Sequence, residues 1–146
     1  MQFRTFALLA LAGLLLAPGA SGGAPKGEAE RMPGTWKVVS AEDSGRKTPE
    51  ELIRDLKWTI TKDAITYKVG SKTTRWTYKL DPAKKPKWID LVEGERTRLA
   101  IYELDGDTLR VCFAEGSSKE RPTAFESKPN SPNDVLIVLK REKSGK

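Results

Sequence analysis

The sequence predicts an all-β domain, an eight-stranded antiparallel up-and-down barrel with one short helix after the first strand. Two observations carry that expectation. Apolar and polar residues alternate with period two along short segments, as they do where one face of a strand is buried and the other is wet. Tight turn signals join consecutive segments, among them Lys62-Asp63, Gly70-Ser71 and Asp105-Gly106-Asp107, so neighbours in sequence should pair as hairpins. A meander of eight such strands can close on itself and leave no sticky edge.

The first strand is read over residues 34–41. A short helix follows, with Thr48 as its cap, Pro49 at its first position and Glu51 completing a capping box ahead of Leu52, Ile53 and Leu56. Residues 57–61 and 64–69 make a hairpin, 73–80 the next strand, 81–86 a loop and 87–91 a short strand. Residues 97–104 and 108–114 form another hairpin. A long, polar, proline-rich connection, 115–134, then leads to the last strand, 135–141.

Alternation assigns the faces. Trp36, Val38 and Ser40 point inward on the first strand, followed by Trp58, Tyr67, Trp76 and Tyr78. Leu99, Ile101 and Glu103 continue the inward set, with Val111, Phe113, Leu139 and Arg141 after them. Lysines, arginines and threonines fill the other face, where Trp88 and Leu136 are apolar exceptions expected under the helix or the long connection. An eight-stranded barrel either fills with its own side chains or holds one small ligand. Aromatic side chains bury roughly 150–250 Å² each, and Trp36, Trp58, Tyr67, Trp76, Tyr78 and Phe113 all read as inward, which favours the filled core. The alternative is a small apolar or amphipathic ligand, with Glu103, Trp58, Trp76 and Tyr78 as rim or ligand contacts. An inward carboxylate such as Glu103 is costly unless it is paired. Lys84, Lys85, Lys87 and the exposed Trp88 form a basic surface patch suited to lipid head groups or polyanionic envelope polymers.

The chain opens with a short segment carrying Arg4, an apolar run at 6–16, and small residues around Pro18, which is the plan of a secretory signal. That run of 11 residues is too short to span a bilayer, which takes about 20. Ala20-Ser21-Gly22 places cleavage before Gly23. The expected organisation is a signal peptide at 1–22, a flexible lead-in at 23–33, the barrel domain at 34–142 and a basic tail at 143–146. The mature protein is expected to be periplasmic or secreted.

Lys and Arg number 26 against 20 Asp and Glu, a net charge of +6 that falls to +5 when Arg4 leaves with the leader. Such a surplus favours solubility and weak attraction to anionic surfaces. No nucleic-acid partner and no transmembrane segment are expected. The absence of histidine removes the commonest general base and every Ser-His or Cys-His arrangement. The single cysteine, Cys112, lies in an apolar run and reads as buried. Asp105-Gly106-Asp107 lacks the further oxygen ligands of a calcium loop, and no two acids are spaced for glycoside chemistry. The expectation is therefore a monomeric, non-enzymatic module with no catalytic residue, cofactor or metal, whose partner is an envelope component or a small apolar ligand.

Several strings of residues carry a resemblance. Gly34-Thr35-Trp36-Lys37-Val38-Val39-Ser40, Tyr78-Lys79-Leu80-Asp81-Pro82, Ile101-Tyr102-Glu103-Leu104-Asp105-Gly106-Asp107, Cys112-Phe113-Ala114, Arg121-Pro122-Thr123 and Leu139-Lys140-Arg141 occur in this order. Over about residues 32–142 they resemble an uncharacterised exported domain family found mainly in planctomycete bacteria, a resemblance that implies no activity. Gly34-Thr35-Trp36 on the first strand, with Arg141 near the end of the last, also resembles the lipocalin-like (calycin) barrels. That likeness implies that Gly34, Trp36 and Arg141 meet to close the barrel. The chain departs from lipocalins proper, which place a long helix after the barrel.

Overall fold

The computed structural model describes residues 27–114, 119–131 and 135–143. The leader, residues 23–26 of the lead-in, 144–146 of the tail, and residues 115–118 and 132–134 of the long connection lie outside the described residues. The strands are β1 (Gly34–Asp43), β2 (Arg46–Lys47), β3 (Lys57–Ile60), β4 (Ala64–Val69), β5 (Lys72–Asp81), β6 (Lys87–Glu93), β7 (Arg96–Asp105), β8 (Thr108–Phe113) and β9 (Val135–Arg141). Two single-turn helices join them, α1 (Glu28–Arg31) and α2 (Glu50–Ile53). Among the described residues no helix is long and apolar enough to cross a membrane.

The expected eight-stranded antiparallel barrel is the fold. Consecutive strands from β3 to β9 pair as hairpins, and β1 pairs with β3 on one side and β9 on the other, closing eight strands. The sequence did not reveal β2, which lies outside the closure. It is the short return arm of a turn at Ser44 and Gly45, whose φ angles of 51° and 80° suit a tight hairpin.

Every barrel strand contributes to one continuous core. At the end where β1 begins, Met32 enters the core and is fully buried. At the far end Ile53 of α2 enters, with Leu56 packed behind it. Just inside that far end the rings of Trp58, Tyr67, Trp76 and Phe113 pack edge-on or stacked at centroid separations of 5.0–6.0 Å.

The structure corrects four details of the sequence reading. A bulge between Val38 and Ser40 shifts the register of β1 against β9, so Ser40 turns outward and Ala41 inward. In β7 the inward residues are Ala100, Tyr102 and Leu104, while Leu99, Ile101 and Glu103 face out. Register fixes this, because Ala100 and Tyr102 lie directly opposite inward Phe113 and Val111. Thr48 does not cap α2; Pro49 holds that position without a side-chain cap, and the Thr48 N–H donates to the Ala41 carbonyl (2.8 Å). Finally, residues 27–33 are part of the barrel rather than a flexible lead-in, since burial of Met32 fixes α1 over the end of the core.

The described part of the long connection straps down a second apolar layer. Trp88, Ile101, Cys112 and Leu136 are direct cross-strand neighbours along the outside of β6 to β9. Ile101 and Cys112 are fully buried beneath residues 119–131, where Pro122 is buried as well. Arg121 pins the strap. Its guanidinium lies 4.2 Å from the Trp88 ring centroid and donates to the Ala100 carbonyl and the Asp90 carboxylate, both at 2.7 Å. A charge-assisted hydrogen bond contributes about 1.5–3 kcal/mol; solvent screens the half-exposed Asp90 partner, so losing Arg121 forfeits about one such bond and should favour opening of the strap by roughly 10–100-fold. In the native protein the Cys112 thiol is therefore expected to label slowly, and Arg121→Ala should raise the rate by that factor without global unfolding. Labelling of the unaltered protein at the rate of a free thiol would contradict this.

Candidate functional site

The site is built at the end of the barrel where β1 starts and β9 finishes. Gly34, Trp36 and Arg141 come together there. The Arg141 guanidinium lies 4.3 Å from the Trp36 ring centroid and donates to the Pro33 carbonyl (2.8 Å), the Arg31 carbonyl and the Asp107 carboxylate (3.2 Å). Trp36 Nε1 donates to the Met32 carbonyl (2.9 Å). Gly34 has φ +143°, and a Cβ there would sit 2.7 Å from Arg141 Nη1, so both backbone and space require glycine. This cluster seats α1 across the barrel mouth.

Seating α1 brings Glu28 down onto β6 and β7. The carboxylate pairs with Lys87, accepts a hydrogen bond from the Tyr102 hydroxyl, and lies 3.8 Å from the Arg31 guanidinium. Burial alone raises its pKa, but the Lys87 and Tyr102 hydrogen bonds and the Lys87 and Arg31 charges outweigh burial and hold it below the ordinary 4.5. Burial, then the hydrogen bond to Glu28 and its charge, push the Tyr102 phenol far upward, so it remains a donor.

Outside this cluster lies a groove of about 240 Å³. The loop after β5 supplies Pro82, Lys84, Lys85 and Pro86, β6 supplies Lys87, β7 supplies Tyr102 and Glu103, and the strap supplies Phe125. Arg110 fixes two of these walls: it pairs with Glu103 at 2.7 Å and lies 4.5 Å from the Phe125 ring centroid. Lys84 sits 4.7 Å from the Trp88 centroid. Neither Lys84 nor Lys85 has an ion pair among the described residues.

The residues read as rim or ligand contacts do not converge. Trp58 and Trp76 pack together at the far end of the barrel, where Trp76 Nε1 donates to Glu93 (3.2 Å). The Tyr78 hydroxyl donates to the Thr61 carbonyl (2.6 Å). Glu103, read as inward, is on the outer surface, where Arg110 balances it. The basic patch of Lys84, Lys85, Lys87 and Trp88 is brought together, and Glu103 joins its margin. Sequence reasoning missed Glu28, Arg110, Arg121 and Phe125. Arg121 had a usable signal, an arginine beside a proline in a polar connection, facing apolar Trp88 and Leu136 that needed a cover.

Comparison with family models, with curated proteins and with solved structures returns no match.

A lowered native pKa means that Glu28 contributes stability which is fully present above its unfolded value and is lost as pH falls through the native one. The urea midpoint should therefore drop as pH is taken below 4.5. Glu28→Gln should lower stability at neutral pH and flatten that part of the acid limb. An identical acid limb in the two proteins would show that α1 does not dock through Glu28.

Proposed function

We propose that this chain is an exported, non-enzymatic β-barrel module of the periplasm or cell envelope that acts through its outer surface and rim. One observation supports the reading: among the described residues, large side chains are buried at both mouths of the barrel and between them. Met32 and Trp36 fill one mouth, the Trp58–Tyr67–Trp76–Phe113 cluster and Ile53 fill the other, and Ile65, Ile89, Leu91 and Leu109 between them are fully buried. A ligand of ordinary size needs about 300–1,000 Å³, and to lodge inside it would have to displace packed aromatic rings. Large-to-small changes in cores of this kind cost about 2–5 kcal/mol, a measure of what such displacement would forfeit. Export is supported by the three-part leader.

Native mass spectrometry of the protein from its own cells tests both halves of this reading. The expected species is a monomer beginning at Gly23 with no non-covalent adduct, whose Trp58 and Trp76 emission is not quenched by added fatty acid. An intact Met1 would overturn export. A co-purifying lipid, or saturable quenching, would replace the filled module with a lipocalin-like carrier of a small apolar ligand. The packing at the plugged mouth gives a stability counterpart: Trp36→Ala should cost about 3–5 kcal/mol in equilibrium unfolding, and a loss well below that range would show that Trp36 does not hold the mouth closed.

A further inference from the structure

We infer that the groove between the loop after β5 and the strap is a binding site for a negatively charged saccharide chain. Lys84 and Lys85 hold its acid groups, and Phe125, Pro82 and Pro86 pack against its ring faces. The inference rests on the reading of the barrel as a surface-acting module, and it names the surface and the partner.

Charge comes first. Two carboxylates at the groove are matched, Glu28 by Lys87 and Glu103 by Arg110, while Asp81 beside it accepts a hydrogen bond from the Ala83 N–H (3.3 Å). Lys84 and Lys85 line the groove as exposed cations without an ion pair among the described residues, two positive charges against the one of Asp81. Their ammonium groups can pair with an anion without breaking an existing ion pair among the described residues, so binding carries no such loss.

Shape comes second. A volume of about 240 Å³ falls below the range of about 300–1,000 Å³ usual for drug-sized ligands. It suits a single ring-sized unit of a longer chain. The apolar part of its lining is one phenylalanine ring and two prolines, beside Tyr102. Such faces pack on the C–H faces of sugar rings, while the lysines supply the selection for charge.

Rigidity comes third. Phe125 is held by Arg110, the strap by Arg121, and Lys84 by the Trp88 ring. Groups fixed before binding lose little freedom on binding, which favours affinity from a small contact.

The same geometry disfavours other polyanions. An acidic peptide in extended form gains most from pairing with a sheet edge, and the strands at this groove are all paired on both sides within the closed barrel. A bilayer is engaged by protruding apolar side chains, and the most exposed of these, Leu52 and Val69, stand at the opposite end.

The test is calorimetric titration of the mature chain with an oligogalacturonate, alongside an uncharged oligosaccharide of equal length. Saturable binding of the charged chain is expected, with a shift in Trp88 emission and little binding of the neutral one. Lys84→Glu/Lys85→Glu should weaken it about tenfold or more. Lys68→Glu/Lys72→Glu, which removes the same charge at the far end, should leave it nearly unchanged. The inference is overturned if no saturable binding occurs, if both double variants weaken binding equally, or if an acidic peptide or phosphatidylglycerol vesicles bind the groove more tightly than the uronate. Fatty-acid quenching of Trp58 and Trp76 reports on the interior separately. A silent groove with a silent interior would sink the saccharide site and leave the filled module standing.

Discussion

Everything at the working end of this molecule depends on one strand having to be shared. β1 must pair with β3 and with β9 at once, and the two pairings overlap at Trp36 and Lys37: Trp36 has Trp58 opposite on one side and Arg141 on the other. A meander without that overlap would remain an open sheet with two raw edges. The Arg141 guanidinium reinforces it by stacking on Trp36 and donating to three acceptors in two segments: Arg31 and Pro33 in the chain before β1, and Asp107 in the β7–β8 turn. Arginine suits the position because its charge is delocalised, weakly hydrated and able to stack and donate simultaneously.

Closure then has consequences outside the core. Because Arg141 and Trp36 hold the carbonyls of residues 31–33, α1 can point only one way, and Glu28 reaches Lys87 and Tyr102. Lys87 is thereby neutralised, and the excess positive charge of the neighbouring loop is confined to Lys84 and Lys85. The plug is thus both the lid of the core and a floor of the surface groove. Glu28 thus neutralises a residue 59 positions away, where the loop enters β6.

The barrel and its closure were legible because they leave strong marks. Period-two alternation and hairpin turns fix strand number, and Gly34, Trp36 and Arg141 are distinctive residues at the two ends of the pattern. Glu103 was misread because β7 is apolar on both faces: Leu99 is half-buried and Ile101 fully buried on the outer one, while Ala100, Tyr102 and Leu104 lie in the core. Alternation cannot choose a face when both are covered. Only the register against β6 and β8 decides, and register is a property of pairs of strands. The plug was missed for a different reason. Its one apolar anchor, Met32, sits among charged residues, glycine and proline, a composition that resembles a linker until the buried mouth it fills is known.

The same two-sided covering explains where function can reside. β6, β7 and β8 are packed inside by the core and outside by Ile101, Cys112 and the strap, so most of their side chains are committed to packing and tolerate little change. The groove escapes much of this because the loop after β5 supplies half of its lining, with Phe125 from the strap and only Lys87, Tyr102 and Glu103 from the strands. Each is anchored by a different arginine or aromatic contact, so substitutions at Lys84 or Lys85 can alter what the groove attracts without loosening the barrel. A covered scaffold with a separately built groove would let stability and recognition vary independently. That independence is the physical ground of the proposal that a partner binds outside the barrel, at the end that α1 covers.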